Sequence, residues 1–128
     1  MEQSWNYSQE HTPPAPVVEL SLAGFPVQLR VDTGFGGGIL IPFSLFQSLG
    51  LLSALTPDSY HAVMPDSRRV RLYTARVEVT LGSTKFLVDI HSSLLVDRRL
   101  VGRSFLQSFV TVLDGTKEKM TLKSSVAK

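Results

Sequence analysis

Apolar and polar residues alternate along much of this chain with a period of two, the mark of strands that keep one face dry and one wet. Val27-Gln28-Leu29-Arg30-Val31 is the clearest case, and Val17-Val18-Glu19-Leu20-Ser21-Leu22 precedes it across the turn signal Ala23-Gly24-Phe25-Pro26. The two segments predict a hairpin that delivers Asp32 at its end. Further on, Tyr60-His61-Ala62-Val63-Met64 and Arg69-Val70-Arg71-Leu72-Tyr73 flank the turn-forming trio Pro65-Asp66-Ser67. The second arm continues through Arg76-Val77-Glu78-Val79-Thr80-Leu81, and Gly82-Ser83 turns it into Lys85-Phe86-Leu87-Val88-Asp89-Ile90. Val110-Thr111-Val112-Leu113 and Lys119-Met120-Thr121-Leu122, around Asp114-Gly115, read as a last hairpin.

Helical spacing is brief. Phe43 to Gly50 predicts a short helix closed by glycine. Arg103 to Phe109 predicts a second, with Phe105, Leu106 and Phe109 on one face. Residues 51–59 read as a loop. Residues 1–16 are polar and end in Pro13-Pro14-Ala15-Pro16, which disfavours helix and central strand and predicts a mobile arm. The expected layout is this arm, one domain over residues 17–123 and a tail over 124–128, with no internal repeat.

The chain has 128 residues, 43% of them hydrophobic, which suits one domain with a real core. A chain this short buries a modest share of its surface, and pairing with a second copy would relieve that shortfall. A net charge of +2 is too small to argue for nucleic acid by itself. Without cysteines, disulfides and thiolate metal sites are excluded. His11, His61 and His91 lack ligand spacing, so no metal is expected. The polar start Met1-Glu2-Gln3-Ser4-Trp5-Asn6 is unlike a signal peptide, and no apolar run is long enough to cross a bilayer. The expectation is a soluble, cytoplasmic protein. Arg68, Arg69, Arg71 and Arg76 read as solvated strand edges rather than a nucleic-acid surface. Gly34-Phe35-Gly36-Gly37-Gly38 fails as a dinucleotide fingerprint, because Ile39 and Pro42 stand where glycine and helix are required.

Two motifs carry chemistry. Asp32-Thr33-Gly34 closes an apolar strand, and Leu100-Val101-Gly102-Arg103 follows far along the chain. Together they resemble the paired motifs of retropepsin-like aspartic proteases, closest to prokaryotic single-domain members. Ile41-Pro42, Leu49-Gly50-Leu51 and Val112-Leu113-Asp114-Gly115 also match, so the resemblance spans roughly residues 17–123 in the right order. It departs at Phe35, where the family has a small residue, and at 60–73, where Pro65-Asp66-Ser67 replaces a glycine-rich flap tip.

The resemblance implies a mostly β, single-lobe, closed barrel-like fold with one or two short helices. It implies a symmetric homodimer with an Asp32 from each subunit. Asp32, Thr33 and Gly34 would form the catalytic turn, Thr33 offering a hydroxyl to the partner's loop. Phe35, Met64, Pro65, Asp66 and Ser67 would border the substrate, a polypeptide, with Ile39 and Val101 adding to apolar pockets. Leu100, Val101, Gly102 and Arg103 would support the turn from beneath. No cofactor, membrane or nucleic acid is implied. The implied activity is peptide-bond hydrolysis; the alternative is a non-catalytic dimer of this fold that binds extended peptides or serves in assembly.

Overall fold

A computed structural model describes residues 1–56, 60–63 and 66–124. Its elements in chain order are β1 (Glu2–Asn6), β2 (Val17–Leu22), β3 (Phe25–Val31), β4 (Ile39–Leu40), α1 (Phe43–Ser48), β5 (Tyr60–Val63), β6 (Arg69–Leu81), β7 (Thr84–Ser92), β8 (Leu100–Val101), α2 (Arg103–Leu106), β9 (Phe109–Asp114) and β10 (Lys119–Ser124), with one turn of 3₁₀ helix over Leu51–Ala54. The protein is mostly β with two short helices, as the alternating pattern predicts.

One sheet runs in the order β2-β3-β8-β4-β7-β6-β5, and β2 also pairs with β6, which closes it into a barrel. The hairpins are formed by neighbours in sequence. In β2/β3 the pairing runs from Val17 opposite Arg30 to Leu22 opposite Phe25. In β6/β7 it runs from Tyr73 opposite Ser92 to Leu81 opposite Thr84. The β5/β6 hairpin, Tyr60 opposite Leu72 to Val63 opposite Arg69, stands where the sequence expects a flap. Its expected tip residues Met64 and Pro65 lie outside the described residues. Asp66 and Ser67 are described: Asp66 accepts from Arg68 N at 3.1 Å and Nε at 2.7 Å, and Ser67 takes a left-handed φ of +70°.

The centre of the sheet has another character. The two-residue strands β4 and β8 pair antiparallel, while β8 runs parallel to β3 and β4 parallel to β7. Period-two patterning cannot announce strands this short. They are held because Ile39, Val101 and Ile90 are fully buried together with Leu29, Val18, Leu20 and Phe46. At about 25 cal/mol per Å² of apolar surface withdrawn from water, this cluster is the main favourable term in folding.

Two expectations need correction here. Residues 1–16 are not simply an arm: Glu2–Asn6 pairs antiparallel with β10, Asn6 opposite Lys119 and Glu2 opposite Lys123, in a three-stranded sheet β1-β10-β9. Trp5 packs on the core beside buried Met120 and Leu122, which supplies apolar burial that the local sequence alone does not signal. The helix expected over 103–109 ends at Leu106, because Phe109 enters β9 and pairs with Ser124. Among the described residues no helix is long and apolar enough to cross a membrane.

Candidate functional site

Asp32 stands at the end of β3, and its backbone N–H donates to Val101 O at 3.0 Å, one step beyond the β3/β8 ladder. Gly34 N–H donates to Asp32 Oδ1 at 2.8 Å, and Phe35 N–H to Asp32 O at 3.1 Å. The carboxylate is thus fixed by its own turn, half-buried, with Thr33 and Gly34 exposed beside it. The amide bond to one oxygen holds the plane of the carboxylate.

Strand parity decides what surrounds it. Val27 and Leu29 are buried on the inner face of β3, whereas Gln28, Arg30 and Asp32 alternate onto the outer one. The pairs Leu20–Val27 and Val18–Leu29 bury the inner face against β2, so a one-residue slip would turn Asp32 into the core.

Leu100-Val101-Gly102-Arg103 lies against the turn through backbone hydrogen bonds. Gly102 N–H donates to Gly38 O at 2.8 Å, Arg103 N–H to Phe35 O at 2.9 Å and Ser104 N–H to Gly37 O at 3.2 Å. These are N–H groups that the first turn of a helix leaves unsatisfied, and α2 has no side-chain cap. The loop's carbonyls do that work and bind turn and helix into one unit. A Cβ on Gly102 would collide with Gly37 O and would lie 2.5 Å from Phe35 O and 2.6 Å from Phe35 Cδ2. Only glycine permits this approach. The exposed Arg103 side chain takes part in no ion pair among the described residues.

Phe35 departs from expectation. Its side chain is only 9% exposed and turns inward, edge-on to His91 with ring centroids 5.9 Å apart. The ring lies under the turn, against His91, whereas the sequence expected it on the substrate side. Ile39 and Val101, expected in apolar pockets, are fully buried and belong to the core. Gly37 fits against the Phe35 and His91 rings, where a Cβ would lie 2.5 Å and 2.9 Å from their atoms. Gly38 is held likewise, with Asp89 O 2.5 Å from where its Cβ would be, so these two glycines are dictated by packing.

His91 is the residue that sequence reasoning missed. It is 2% exposed, and its Nδ1 lies 2.8 Å from Thr74 Oγ1. Burial lowers its pKa from 6.5 to about 4, against an opposing pull from Asp89. The imidazole is neutral above that range and acts as a packing and hydrogen-bonding group. A single histidine in an alternating strand carries no signal of this. Of the hairpin arginines, Arg68 pairs with Asp66 at 2.7 Å and Arg76 with Asp89 at 2.9 Å. Among the described residues no group of His, Asp or Glu could hold a metal ion.

The whole arrangement is similar to solved structures. A retropepsin-like aspartic protease from Rickettsia conorii aligns with a TM-score of 0.65 at 21% identity, over 95% of this chain and 88% of that one. The EIAV protease, solved with the inhibitor HBY-793, aligns with a TM-score of 0.58 at 14% identity, over 80% and 92%. The retroviral protease-like domain of Ddi1 from Leishmania major aligns with a TM-score of 0.55 at 11% identity, over 84% and 89%. No sequence-family model matches the chain, nor does any curated protein sequence. The fold is that of the retropepsin-like aspartic proteases.

Proposed function

We propose that this protein is an aspartic endopeptidase that works as a symmetric homodimer, with an Asp32 from each subunit in one shared site. The observation that carries the reading is the carboxylate of Asp32. It accepts from Gly34 N–H and is aimed outward from a retropepsin-like barrel, while the residue's own backbone N–H donates to Val101 O. The sequence holds one Asp-Thr-Gly, and in this reading the second carboxylate comes from a second copy across a two-fold axis.

Two carboxylates about 3 Å apart cannot both ionise and share one proton. The ionised one takes a proton from a water between them as that water attacks the peptide carbonyl. The protonated one donates to the carbonyl oxygen, giving a gem-diol; as the C–N bond breaks, the carboxyl that took the water's proton passes it to the departing amine, and a gem-diol hydroxyl returns a proton to the other carboxylate. The role of Thr33 is to steady the pair from the partner's side. Asp66 and Ser67 border the substrate on the hairpin side, and the extended substrate adds as a strand to the hairpin backbone.

The test is digestion of a denatured protein mixture from acid to neutral pH, with Asp32→Asn in parallel. Fragments from the original protein alone support the reading, as does specific activity that falls on dilution toward the dimer dissociation constant. A stable dimer that cuts nothing yet binds extended peptides would replace it with the non-catalytic alternative.

A further inference from the structure

The outer face of β3 does not end at Asp32. Two residues earlier on the same face stands Arg30, and beside it lies a cleft of about 500 Å³. Gln28 and Arg30 wall it from β3, and Arg98 and Arg99 from the segment entering β8. Leu100 and Val17 give it an apolar base, both nearly fully buried. Arg30 N–H donates to Arg99 O at 2.9 Å, which fixes the two arginine-bearing segments side by side.

The cleft also receives Glu10, His11 and Asp97. None of the three guanidinium groups has a carboxylate within ion-pair distance among the described residues, Glu10 and Asp97 included. Three arginines against two carboxylates leave the cleft positive on balance, with the guanidinium groups still open to an incoming anion. An arginine fork matches a carboxylate in shape as well as charge. Arg30 is about 7 Å along the strand from Asp32, since each residue advances about 3.3 Å. An extended substrate advances by a similar step. A side chain that enters the cleft therefore belongs to a residue within two positions of the bond poised at Asp32.

We infer that this cleft is a specificity pocket for an acidic side chain, Glu or Asp, of the polypeptide substrate. This rests on the peptidase reading and departs from the expectation of apolar pockets. The two-fold axis would place a second such cleft across the site, so acidic residues are favoured on both sides of the cut bond.

The experiment uses matched fluorogenic peptides that differ at one position near the bond, carrying Glu, Gln, Leu or Lys. The Glu peptide should be cut with a kcat/KM about tenfold above its Gln counterpart, with Lys the poorest. That ratio should fall toward one in Arg30→Gln, and in part in the exposed-site variant Arg98→Gln, which does not disturb the core. Preference for Leu, or a Glu/Gln ratio unchanged in both variants, overturns the inference. A second arm measures fluorescence anisotropy of the same peptides on Asp32→Asn. Arg30-dependent preference for the Glu peptide without any cleavage by the original protein would refute hydrolysis and keep the pocket. Cleavage without acid preference would do the reverse.

Discussion

The two faces of β3 make opposite demands on the same seven residues. On the inner face, Val27 and Leu29 are sealed against β2 and the barrel core, and position is set by shape. On the outer face, Gln28, Arg30 and then Asp32 meet solvent, and what matters there is charge and hydrogen bonding. The inner face can be filled by any apolar set of the right volume. The outer face cannot be exchanged so freely, since Arg30 and Asp32 there each have a chemical task in the proposed reaction. The contrast continues beneath the turn, where Gly37, Gly102, Phe35 and His91 pack without room for another methyl group.

The most severe way to break the outer face is Asp32→Asn. The amide keeps an oxygen that can accept from Gly34 N–H, so melting temperature should hold, while peptide cleavage should fall at least about a thousandfold, roughly 4 kcal/mol on the barrier. A variant that still cuts would end the carboxylate mechanism. On the inner side, Gly102→Ala has no space for its methyl group beside two backbone carbonyls. It should cost about 3 kcal/mol or more in a denaturant titration, with activity lost alongside.

Acid sharpens the comparison. His91 binds a proton at 6.5 when unfolded but only at about 4 in the fold, so the unfolded chain takes up protons first as pH falls. Its contribution is therefore fully present above about 6.5 and is lost progressively down to about 4, by roughly 3 kcal/mol in all. The double variant His91→Leu with Thr74→Val should flatten unfolding free energy against pH in that window. An unchanged slope would place the acid sensitivity elsewhere. The smallest effect belongs to the wet surface far from the turn. Glu78 and Lys85 are 3.8 Å apart and well exposed, so Lys85→Gln should shift stability by less than about 0.5 kcal/mol.

Much of this was legible because strands with one wet face write their register into the sequence. The β2/β3 hairpin, the long β6, its return through β7 and the final β9/β10 pair all show in the alternation. Asp32-Thr33-Gly34 and Leu100-Val101-Gly102-Arg103 stand out because a turn and a close backbone approach each demand glycine. What stayed hidden is non-local. The strand at Glu2–Asn6 depends on partners near Lys119–Lys123, far along the chain. The inward turn of Phe35 depends on a cavity formed by His91 and two glycines. The arginine cleft exists only once β3 and the segment before β8 lie side by side.

The strand β6 serves three neighbours in succession: β5 along Arg69–Leu72, β7 along Tyr73–Leu81, and β2 at Val79 and Thr80. Hairpin, barrel wall and barrel seam therefore share one ruler. Adding a single residue inside it would invert which side chains look inward on one side of the insertion, and no local adjustment could restore both ends at once. The fold should tolerate length variation between Val63 and Arg69, beyond the paired region, and forbid it along Tyr73–Leu81, about 30 Å at roughly 3.3 Å per residue.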